Sequence, residues 1–558
     1  MTGMNETIAA AVKKLYDIDL EVVLSRPEPK FGDYATNVAL QLAGRVGKNP
    51  RDIADELAQE LETLDDVSAV EVAGPGFINL RLNDRSLLAD VLRQPFETRQ
   101  DGQMVIEYSC PNAFKELHTG HLYQTIAGDI LARLVERSGV TVHRTSFGGD
   151  VGLHVAKCLW GMIDMLGGMA PDKLDDVEAT PFARARWISQ CYVRGAGAYE
   201  QEPSVKGEID ELNKTIYGLH ETGDHESALA RLYWTTRQWS FDYFDAFYKL
   251  IKVDGMRYYP ESETATVGLE VVRDQLAKGN LKESDGAVVF EGDESKHLHT
   301  RVFITGKGLP TYETKDIGVI WMERADYQFD SRVLITGNDQ TDYMRVVFAA
   351  AELFDPSLAG TMTHLTNGTV RFGDGSKMSS RLGNVSRAAD VIDIVREKVT
   401  ELVADEAMVE AVTLGAIKYI FAKYRFGGDI AFDVEETVTL SGNSGPYLQY
   451  AHARARSILA KANKEAVSEL QQLEASEREL VRKLGEYAEV VEKATRELMP
   501  HHICSYLYEL AQEFNRFYEK SRIIGDDREA ERLYLVGLYA TTLADGLGLL
   551  GIEAPEHL

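Results

Sequence analysis

Two short stretches carry residue types whose spacing suits phosphate chemistry. The first is Pro111-Asn112-Ala113-Phe114-Lys115-Glu116-Leu117-His118-Thr119-Gly120-His121. The short apolar run Met104–Tyr108 before it reads as a strand, and Leu122, Ile126, Ile130 and Leu134 after it recur at helical spacing. A loop that leads from a strand into a helix N-terminus presents free backbone N–H groups and the positive end of the helix dipole, which favour phosphate. His118 and His121, three apart, can face one ligand, and Gly120 lets a flat base approach the backbone. An HxxH pair can equally be a capping or core pair, and a metal site would want a third ligand that is not nearby. The second stretch is Lys377-Met378-Ser379-Ser380-Arg381, surrounded by Gly373, Gly375 and Gly383. A lysine on a mobile, glycine-rich loop can close over a triphosphate and neutralise charge developing on pyrophosphate. Taken alone, it is also the pattern of a solvated basic loop.

The elements around the first stretch fix its setting. Gly139 is a suitable stop for the helix, and Val140–Arg144 reads as a second strand. Strand, loop, helix and strand in succession make a βαβ unit, which implies a parallel sheet. Ahead of it, a helix is predicted from Glu6 to about Tyr16, and Ala69–Leu82 reads as a hairpin turning at Gly74-Pro75-Gly76. Residues 160 to about 295 alternate helical and polar stretches. Strands are expected again at Arg301–Thr305 and Val333–Thr336, and from about Asp405 onward the pattern is one of long amphipathic helices.

Composition narrows the class. The chain has 558 residues, enough for about three or four domains. Its balance of 44% hydrophobic and 27% charged residues is that of a folded protein, which excludes disorder over most of the length. No apolar run approaches the roughly 18–20 residues of a membrane helix, and the start has no basic region followed by an apolar stretch. Cys110, Cys158, Cys191 and Cys504 form no CxxC pair, which excludes a disulfide framework and a Cys-rich zinc site and fits a cytoplasmic protein. Lys plus Arg is 60, Asp plus Glu is 88, and the net charge of −28 argues, by itself, against a nucleic-acid partner. Binding a polyanion needs basic surface only where the phosphates lie. Arg371, Lys377, Arg381 and Arg387 surround the second stretch. Arg454, Arg456, Lys461 and Lys464 are expected on one helix after Tyr450, where Tyr447 and Tyr450 could stack on splayed bases.

Together and in this order, the two stretches resemble the HIGH and KMSKS elements of class I aminoacyl-tRNA synthetases. Nearly the whole chain resembles an arginyl-tRNA synthetase. Phe31-Gly32-Asp33-Tyr34-Ala35-Thr36-Asn37 and Gly74-Pro75-Gly76-Phe77-Ile78-Asn79 are similar to that family's extra N-terminal domain. The segment from Gly442 to Arg454 resembles the start of its helical anticodon-binding domain, and Tyr506–Ala511 and Gly548–Ile552 continue the match. Residues 160–295 match least.

The resemblance implies a multidomain α/β fold: an N-terminal α/β domain (1–97) that contacts tRNA, a Rossmann-like catalytic domain (98–405) with an insertion at about 160–295, and a C-terminal helical bundle (406–558) for the anticodon. It implies an arginine–tRNA ligase that uses ATP with Mg²⁺, acts as a monomer, needs no membrane and keeps no resident metal. His118, His121 and Lys377 would be catalytic, and His118, Gly120, His121, Lys377, Met378, Ser379 and Ser380 would bind ATP. Glu107, Tyr312 and Asp316 would bind the guanidinium, with Cys110 and Pro111 in the adjoining loop, Asn112 and Gln340 at the α-amino end, and His121 touching both substrates. Tyr447, Gln449, Tyr450, Arg454, Arg456 and Lys461 would meet tRNA.

A guanidinium is planar, permanently charged and offers forked donors, so carboxylates such as Glu107 and Asp316 suit it on chemical grounds as well. Some positions depart from the family pattern. Cys110 stands where serine is frequent, Asp150-Val151-Gly152-Leu153-His154 where Asp-Trp-Gly-Thr-Gln is frequent, and Tyr343 where histidine is common. Ser376 stands where a second basic residue is frequent, and His557-Leu558 where a terminal methionine is common. Two other readings are a small-molecule nucleotidylyltransferase, which shares HxGH but is commonly shorter, and a non-catalytic tRNA-binding relative, which should have lost His118, His121 or Lys377.

Overall fold

The computed structural model describes residues 3–96, 100–372 and 387–558. Its centre is a five-stranded, wholly parallel sheet built from β4 (Gln103–Glu107), β5 (Thr141–Gly148), β6 (Arg257–Pro260), β10 (Ser331–Gly337) and β11 (Met362–Asn367), in the order β11-β10-β4-β5-β6. The chain runs outward from β4 through β5 to β6, then returns to the other side of β4 to lay down β10 and β11. The strand order therefore reverses between β4 and β10. In such sheets the crevice at the carboxyl ends of the two strands flanking the reversal is where ligands bind. Glu107 ends β4 and Gly337 ends β10, with Leu334 of β10 in register with Glu107.

The helix Thr119–Arg137 makes the β4–β5 crossover, as the spacing of its apolar residues predicts, and thirteen of its nineteen residues are buried. It ends one residue before Ser138, and Gly139 follows at φ 105°. Tyr108, just past β4, packs so closely on this helix that a Cβ at Gly128 would run into its ring.

The helices Leu153–Met165, Pro181–Gln201, Pro203–Thr222 and Ala228–Leu250 form a separate apolar cluster between β5 and β6. Here the structure corrects the expected limits of the insertion. Arg257–Pro260 pairs with β5 and belongs to the central sheet, so the inserted helices end before it and not near residue 295. The next helix, Glu261–Ala277, packs on the helix Tyr312–Tyr327 without side chains between them at two points. A Cβ on Gly268 would meet the Thr314 carbonyl, and one on Gly318 the Thr264 carbonyl. Between these helices lies a small antiparallel sheet of β7 (Lys282–Ser284), β8 (Ala287–Phe290) and β9 (Arg301–Ile304).

Residues 3–96 form an antiparallel sheet of β1 (Tyr34–Thr36), β2 (Val67–Ala73) and β3 (Phe77–Leu82), in the order β1-β3-β2, with four helices. The expected hairpin is β2–β3, and Gly76 at φ 136° lies where a Cβ would press on the Pro50 carbonyl. The Phe31–Asn37 segment turns out to be a joint. Asp33 Oδ2 accepts from the Leu82 backbone N–H at 2.8 Å and from Arg478 Nη2 at 2.6 Å, and the Tyr34 hydroxyl shares Asp90 and Glu489 with Arg26. Arg478 and Glu489 lie on the bundle helices Ala475–Leu484 and Tyr487–Glu497, so this segment docks one domain onto another.

The helix Val409–Ala422 is apolar all round and buried at every position except Glu410, as a helix at the centre of a large core must be. It packs between Thr119–Arg137 and the bundle helices Gly445–Ala460 and His501–Lys520. Just before the bundle, β13 (Ile430–Phe432) pairs in parallel with β12 (Val370–Phe372). No helix among the described residues is long and apolar enough to cross a membrane.

Candidate active site

The loop from β4 to the helix Thr119–Arg137 is held in a strained form. Ser109, Cys110 and Phe114 all have positive φ (71°, 47° and 65°), a conformation that non-glycine residues adopt only when their surroundings impose it. Those surroundings are visible. Asn112 Oδ1 accepts from the Gly149 N–H at 3.0 Å, the Pro111 carbonyl accepts from the Tyr258 hydroxyl at 3.1 Å, and the Phe114 N–H donates to Ser240 Oγ at 3.0 Å. A Cβ on Gly148 would overlap the Pro111 carbonyl, so this loop can lie on the end of β5 only because a glycine is there.

The two histidines are bound to each other and to the helix end. His118 is the N-cap: its Nδ1 accepts from the N–H groups of Gly120 (3.0 Å) and His121 (3.3 Å). His121 Nδ1 accepts from the His118 N–H at 3.1 Å, closing a capping box made of two imidazoles. The rings stack with centroids 3.7 Å apart. A Cβ on Gly120 would sit 2.8 Å from His118 Cε1, so the glycine makes room for the capping ring. Burial lowers the pKa of both rings, His121 well below its ordinary value, and the Lys115 charge adds to the effect. Both are therefore neutral near pH 7. With each Nδ1 accepting, the ring proton is on Nε2, which leaves an N–H donor without a net charge.

Behind the loop lies a buried cluster of charges. Arg332, on β10, bridges Glu107 and Glu323, with Nε 2.6 Å from Glu323 Oε2 and Nη2 bonded to Glu107. The other oxygen of Glu323 accepts from Thr145 Oγ1 at 2.5 Å, and Cys110 Sγ lies 3.6 Å from Glu107 Oε1. Asp316 is close enough for its charge to act on both Glu107 and Arg332, and it accepts a hydrogen bond from the Tyr343 hydroxyl. Three carboxyl groups thus surround a single guanidinium. Two of them, Asp316 and Glu107, have raised pKa values, with burial the largest cause. Burial pushes Asp316 up to about 7 against the pull of Tyr343 and Arg332. Burial also pushes Glu107 upward, opposed by Arg332 and reinforced by Glu323 and Asp316. A second planar cation would halve the excess of negative charge.

Tyr312 and Asp316 share the helix Tyr312–Tyr327, Tyr312 as its first residue with 68% of its surface exposed and Asp316 buried one turn on. Gln340 closes the turn Asn338–Gln340 at the end of β10, on the far side of the crevice from the β5 glycines. Arg332, Glu323 and Tyr343 were not anticipated from sequence as members of this site. Arg332 is the one charge inside an otherwise apolar strand, which was the available signal.

Lys377, Met378, Ser379, Ser380 and Arg381 lie outside the described residues. The chain that follows them does return to the histidines: Arg387 forms a β-bridge with His118, and the Ala388 N–H donates to the Leu117 carbonyl at 2.9 Å.

In the bundle the expected tRNA residues part company. Gln449 is fully buried and donates to the carbonyls of Ala411 (3.1 Å) and Glu553 (2.9 Å), so it joins the core helix to the chain after the last helix. Lys461 and Lys464 are not on the helix with Arg454, which ends at Ala460, and Lys464 points back to the carbonyls of Asp526 and Asp527. Arg456 pairs with Glu556 at 2.6 Å, and the Tyr447 hydroxyl accepts from Asn515. Tyr450 and Lys461 are exposed, and Arg454 lies over the half-exposed Tyr518 ring, 4.4 Å from its centre.

Comparison with known proteins gives the same picture for the whole length. The family model described as tRNA synthetases class I (R), catalytic domain, matches residues 84–426. The arginyl tRNA synthetase N terminal domain matches 3–82 and the DALR anticodon binding domain 448–558. The chain belongs to the arginyl-tRNA synthetases. It is 32% identical to the arginine–tRNA ligase of Thermobifida fusca, covering 95% of this chain and 94% of that one. It is 29% identical to the ligase of Porphyromonas gingivalis over 100% and 99% of the two chains. The arginyl-tRNA synthetase structure from Thermus thermophilus superposes with a TM-score of 0.81 at 26% identity, covering 100% of this chain and 99% of that one. Membership makes the protein a class I aminoacyl-tRNA ligase, which sets aside the nucleotidylyltransferase and the non-catalytic relative.

The charge cluster should be structurally indispensable even before any substrate binds. Arg332→Met leaves Glu107 and Glu323 buried without their cationic partner, a change that costs about 3–5 kcal/mol. Urea denaturation followed by tryptophan fluorescence should show a correspondingly lower midpoint, and an unchanged midpoint would mean that the carboxyl groups are already neutral.

Proposed function

We propose that the arginine side chain enters the crevice at the β4–β10 reversal and places its guanidinium against Asp316 and Glu107, under the Tyr312 ring. The observation that carries this reading is the excess of carboxyl groups over cations around Arg332. A permanently charged, forked donor completes that cluster, and a neutral or anionic side chain would not. Asn112, Cys110 and Pro111 line the same pocket from the β4 loop, and Gln340 closes it from the end of β10.

ATP lies along the start of the helix Thr119–Arg137, where the His118–His121 cap, Gly120 and the helix dipole face its phosphates. The α-carboxylate of arginine attacks the α-phosphorus, the bond to the bridging oxygen breaks, and pyrophosphate leaves. Neutral His118 and His121 donate Nε2–H to oxygens that gain charge in the transition state, and Lys377, with Met378, Ser379 and Ser380 beside it, takes the charge developing on pyrophosphate. A ribose hydroxyl at the 3′ end of tRNA then attacks the adenylate carbonyl and AMP leaves. Mg²⁺ would arrive on the phosphates with its waters, held by them and not by a dedicated protein cage. The protein works as a cytoplasmic monomer, the N-terminal domain touches tRNA, and the bundle meets the anticodon through Tyr450, Arg454 and Lys461.

Three outcomes test this reading. Only an ionised Asp316 can pair with a guanidinium, and its pKa is about 7, so the KM for arginine should rise below that pH, by up to about tenfold per unit for one titrating group. In Asp316→Asn the KM should be high throughout and lose this dependence, and a flat wild-type profile would remove Asp316 from the pocket. Lys377→Ala should slow ATP–pyrophosphate exchange by roughly 10²-fold or more while changing the KM for ATP less, since its contact is made mainly in the transition state. A variant that lost ATP affinity at unchanged kcat would make this lysine a ground-state clamp. In the bundle, Arg454→Ala and Lys461→Ala should each weaken tRNA binding and flatten the slope of log K against log salt by about 0.7–0.9, with the arginine KM unmoved. A double variant with an unaltered slope would put the anticodon surface elsewhere.

A further inference from the structure

Tyr343 stands where the family pattern has a histidine, and the structure sets it against the buried charge cluster. It lies on the helix Thr341–Phe354, which packs on the helix Tyr312–Tyr327. Its hydroxyl donates to Asp316 Oδ2, a bond between residues 27 positions apart. Asp316 accepts no other hydrogen bond among the described residues, so Oδ2 is committed and Oδ1 is the oxygen left for a ligand. The Tyr343 ring has a second contact. The Arg301 guanidinium, on β9, lies 5.8 Å from its centre, and Arg301 Nη1 is 3.8 Å from Glu313 Oε1. Glu313, Arg301, Tyr343 and Asp316 thus form a run of contacts that begins and ends on one helix.

The direction of the Tyr343 bond decides what it does. Burial, with the Asp316 charge beside it, raises the pKa of the Tyr343 hydroxyl well above its ordinary value, so the group keeps its proton and donates it at neutral pH. A hydrogen bond donated to a carboxyl group favours its ionised form. The other groups that face Asp316 are unevenly disposed. Glu313 on its own helix and Glu261 on the helix Glu261–Ala277 oppose its ionisation, as burial does most strongly, and Glu107 on β4 and Cys110 in the β4 loop feel its charge. The Tyr343 hydrogen bond and Arg332 favour ionisation, the Tyr343 bond more strongly of the two. Arg332 is already divided between Glu107 and Glu323, whereas the Tyr343 hydroxyl is bonded to Asp316.

We propose that Tyr343 is a positioning residue for substrate selection: by donating to Oδ2 it holds Asp316 as a carboxylate and leaves Oδ1 to meet the guanidinium of arginine. The inference rests on the reading that this guanidinium is bound at Asp316. Tyr343 acts through Asp316 and not on the reacting atoms. A carboxylate with one free oxygen accepts from a guanidinium N–H, whereas the protonated acid would set an O–H against it. Arg301 holds the Tyr343 ring over the same helix, so the orientation of the hydroxyl is fixed before arginine arrives.

The test is steady-state aminoacylation by the full-length enzyme at saturating ATP and tRNA, from pH 6 to pH 9. Tyr343→Phe keeps the ring and removes only the hydroxyl. One hydrogen bond to a charged group is worth roughly 10-fold to 100-fold, so the pH at which the KM for arginine begins to rise should move up by about one to two units. At pH 7 the KM should be roughly 10-fold above wild type, and by pH 9 the excess should shrink to about twofold, with kcat little changed throughout. A KM raised by the same factor at every pH, as from a merely loosened pocket, would overturn the proposal, and so would an unchanged KM. The double variant Asp316→Asn with Tyr343→Phe should be no worse than Asp316→Asn alone, and additive losses would show that Tyr343 does not act through Asp316. Asp316→Asn also separates the two readings. If it raises the KM and Tyr343→Phe does not, the guanidinium pocket stands and the role of Tyr343 falls. If Asp316→Asn leaves the KM at its wild-type value, the pocket itself is misplaced and the role of Tyr343 falls with it.

Discussion

A permanently charged guanidinium can be taken out of water only where carboxylates wait for it, and carboxylates left waiting out of water are themselves unstable. The structure resolves this conflict with Arg332. Its guanidinium sits between Glu107 and Glu323 and keeps the neighbourhood from carrying three uncompensated negative charges, while Asp316, among the described residues, makes no ion pair and accepts a hydrogen bond from the Tyr343 hydroxyl. Burial raises the pKa of Asp316 against the opposing pull of Tyr343 and Arg332. Everything nearby follows from keeping these groups in place. They come from β4, β10 and the helix Tyr312–Tyr327, which meet only because the strand order reverses between β4 and β10.

The phosphate end of the crevice is built on a different principle. No side-chain cation among the described residues takes part in the His118–His121 cap. It combines a helix dipole with two neutral imidazoles whose tautomer is set by the backbone N–H groups they accept from. A neutral donor can face an anion before and after charge develops without binding the ground state strongly. The same helix also reaches the rest of the molecule. At its far end Arg137 pairs with Asp545 at 3.1 Å, and the Leu134 carbonyl accepts from Thr495 Oγ1 at 3.2 Å, both on bundle helices. One rigid element thus touches the phosphate site at one end and the anticodon domain at the other.

How much of this was legible in the sequence depended on whether the relevant contact was local. The capping histidines, the βαβ unit, the β2–β3 hairpin and the helix shared by Tyr312 and Asp316 all follow from spacing within a few residues, and the structure has them. Arg332 with Glu107 is separated by 225 positions, and nothing in the periodicity of either strand says that the two charges meet. Gln449 was expected to meet tRNA because the segment around it resembles the family's anticodon-binding domain, yet the close approach of Gly415 and the chain after the last helix enclose it. The end of the inserted helices was misplaced because β6 is four residues long and becomes a strand only by pairing with β5. Tyr343 stood out as a departure from the family pattern, but its bond to Asp316 depends on two helices whose packing the sequence does not encode locally.

The acidic total also takes on a different meaning once the ion pairs are placed. Many arginines are not surface charges at all. Arg26, Arg93 and Arg478 pair with Glu489, Glu492, Asp33 and Asp84, and these bonds fasten the N-terminal domain to the bundle. Within the bundle, Arg528 and Arg532 converge on the buried Glu477. These pairs hold domains together and remove from the surface both the arginines that might have bound phosphate and the carboxylates that would have repelled it. Net charge is therefore a poor guide to where a polyanion can bind here. What matters is the small set of cations left without a carboxylate partner beside exposed aromatic rings. Among the described residues Arg454 lies over the Tyr518 ring with no ion pair to a carboxylate, and Tyr450 is exposed on the same helix, whereas Arg456, two residues on, is bound to Glu556.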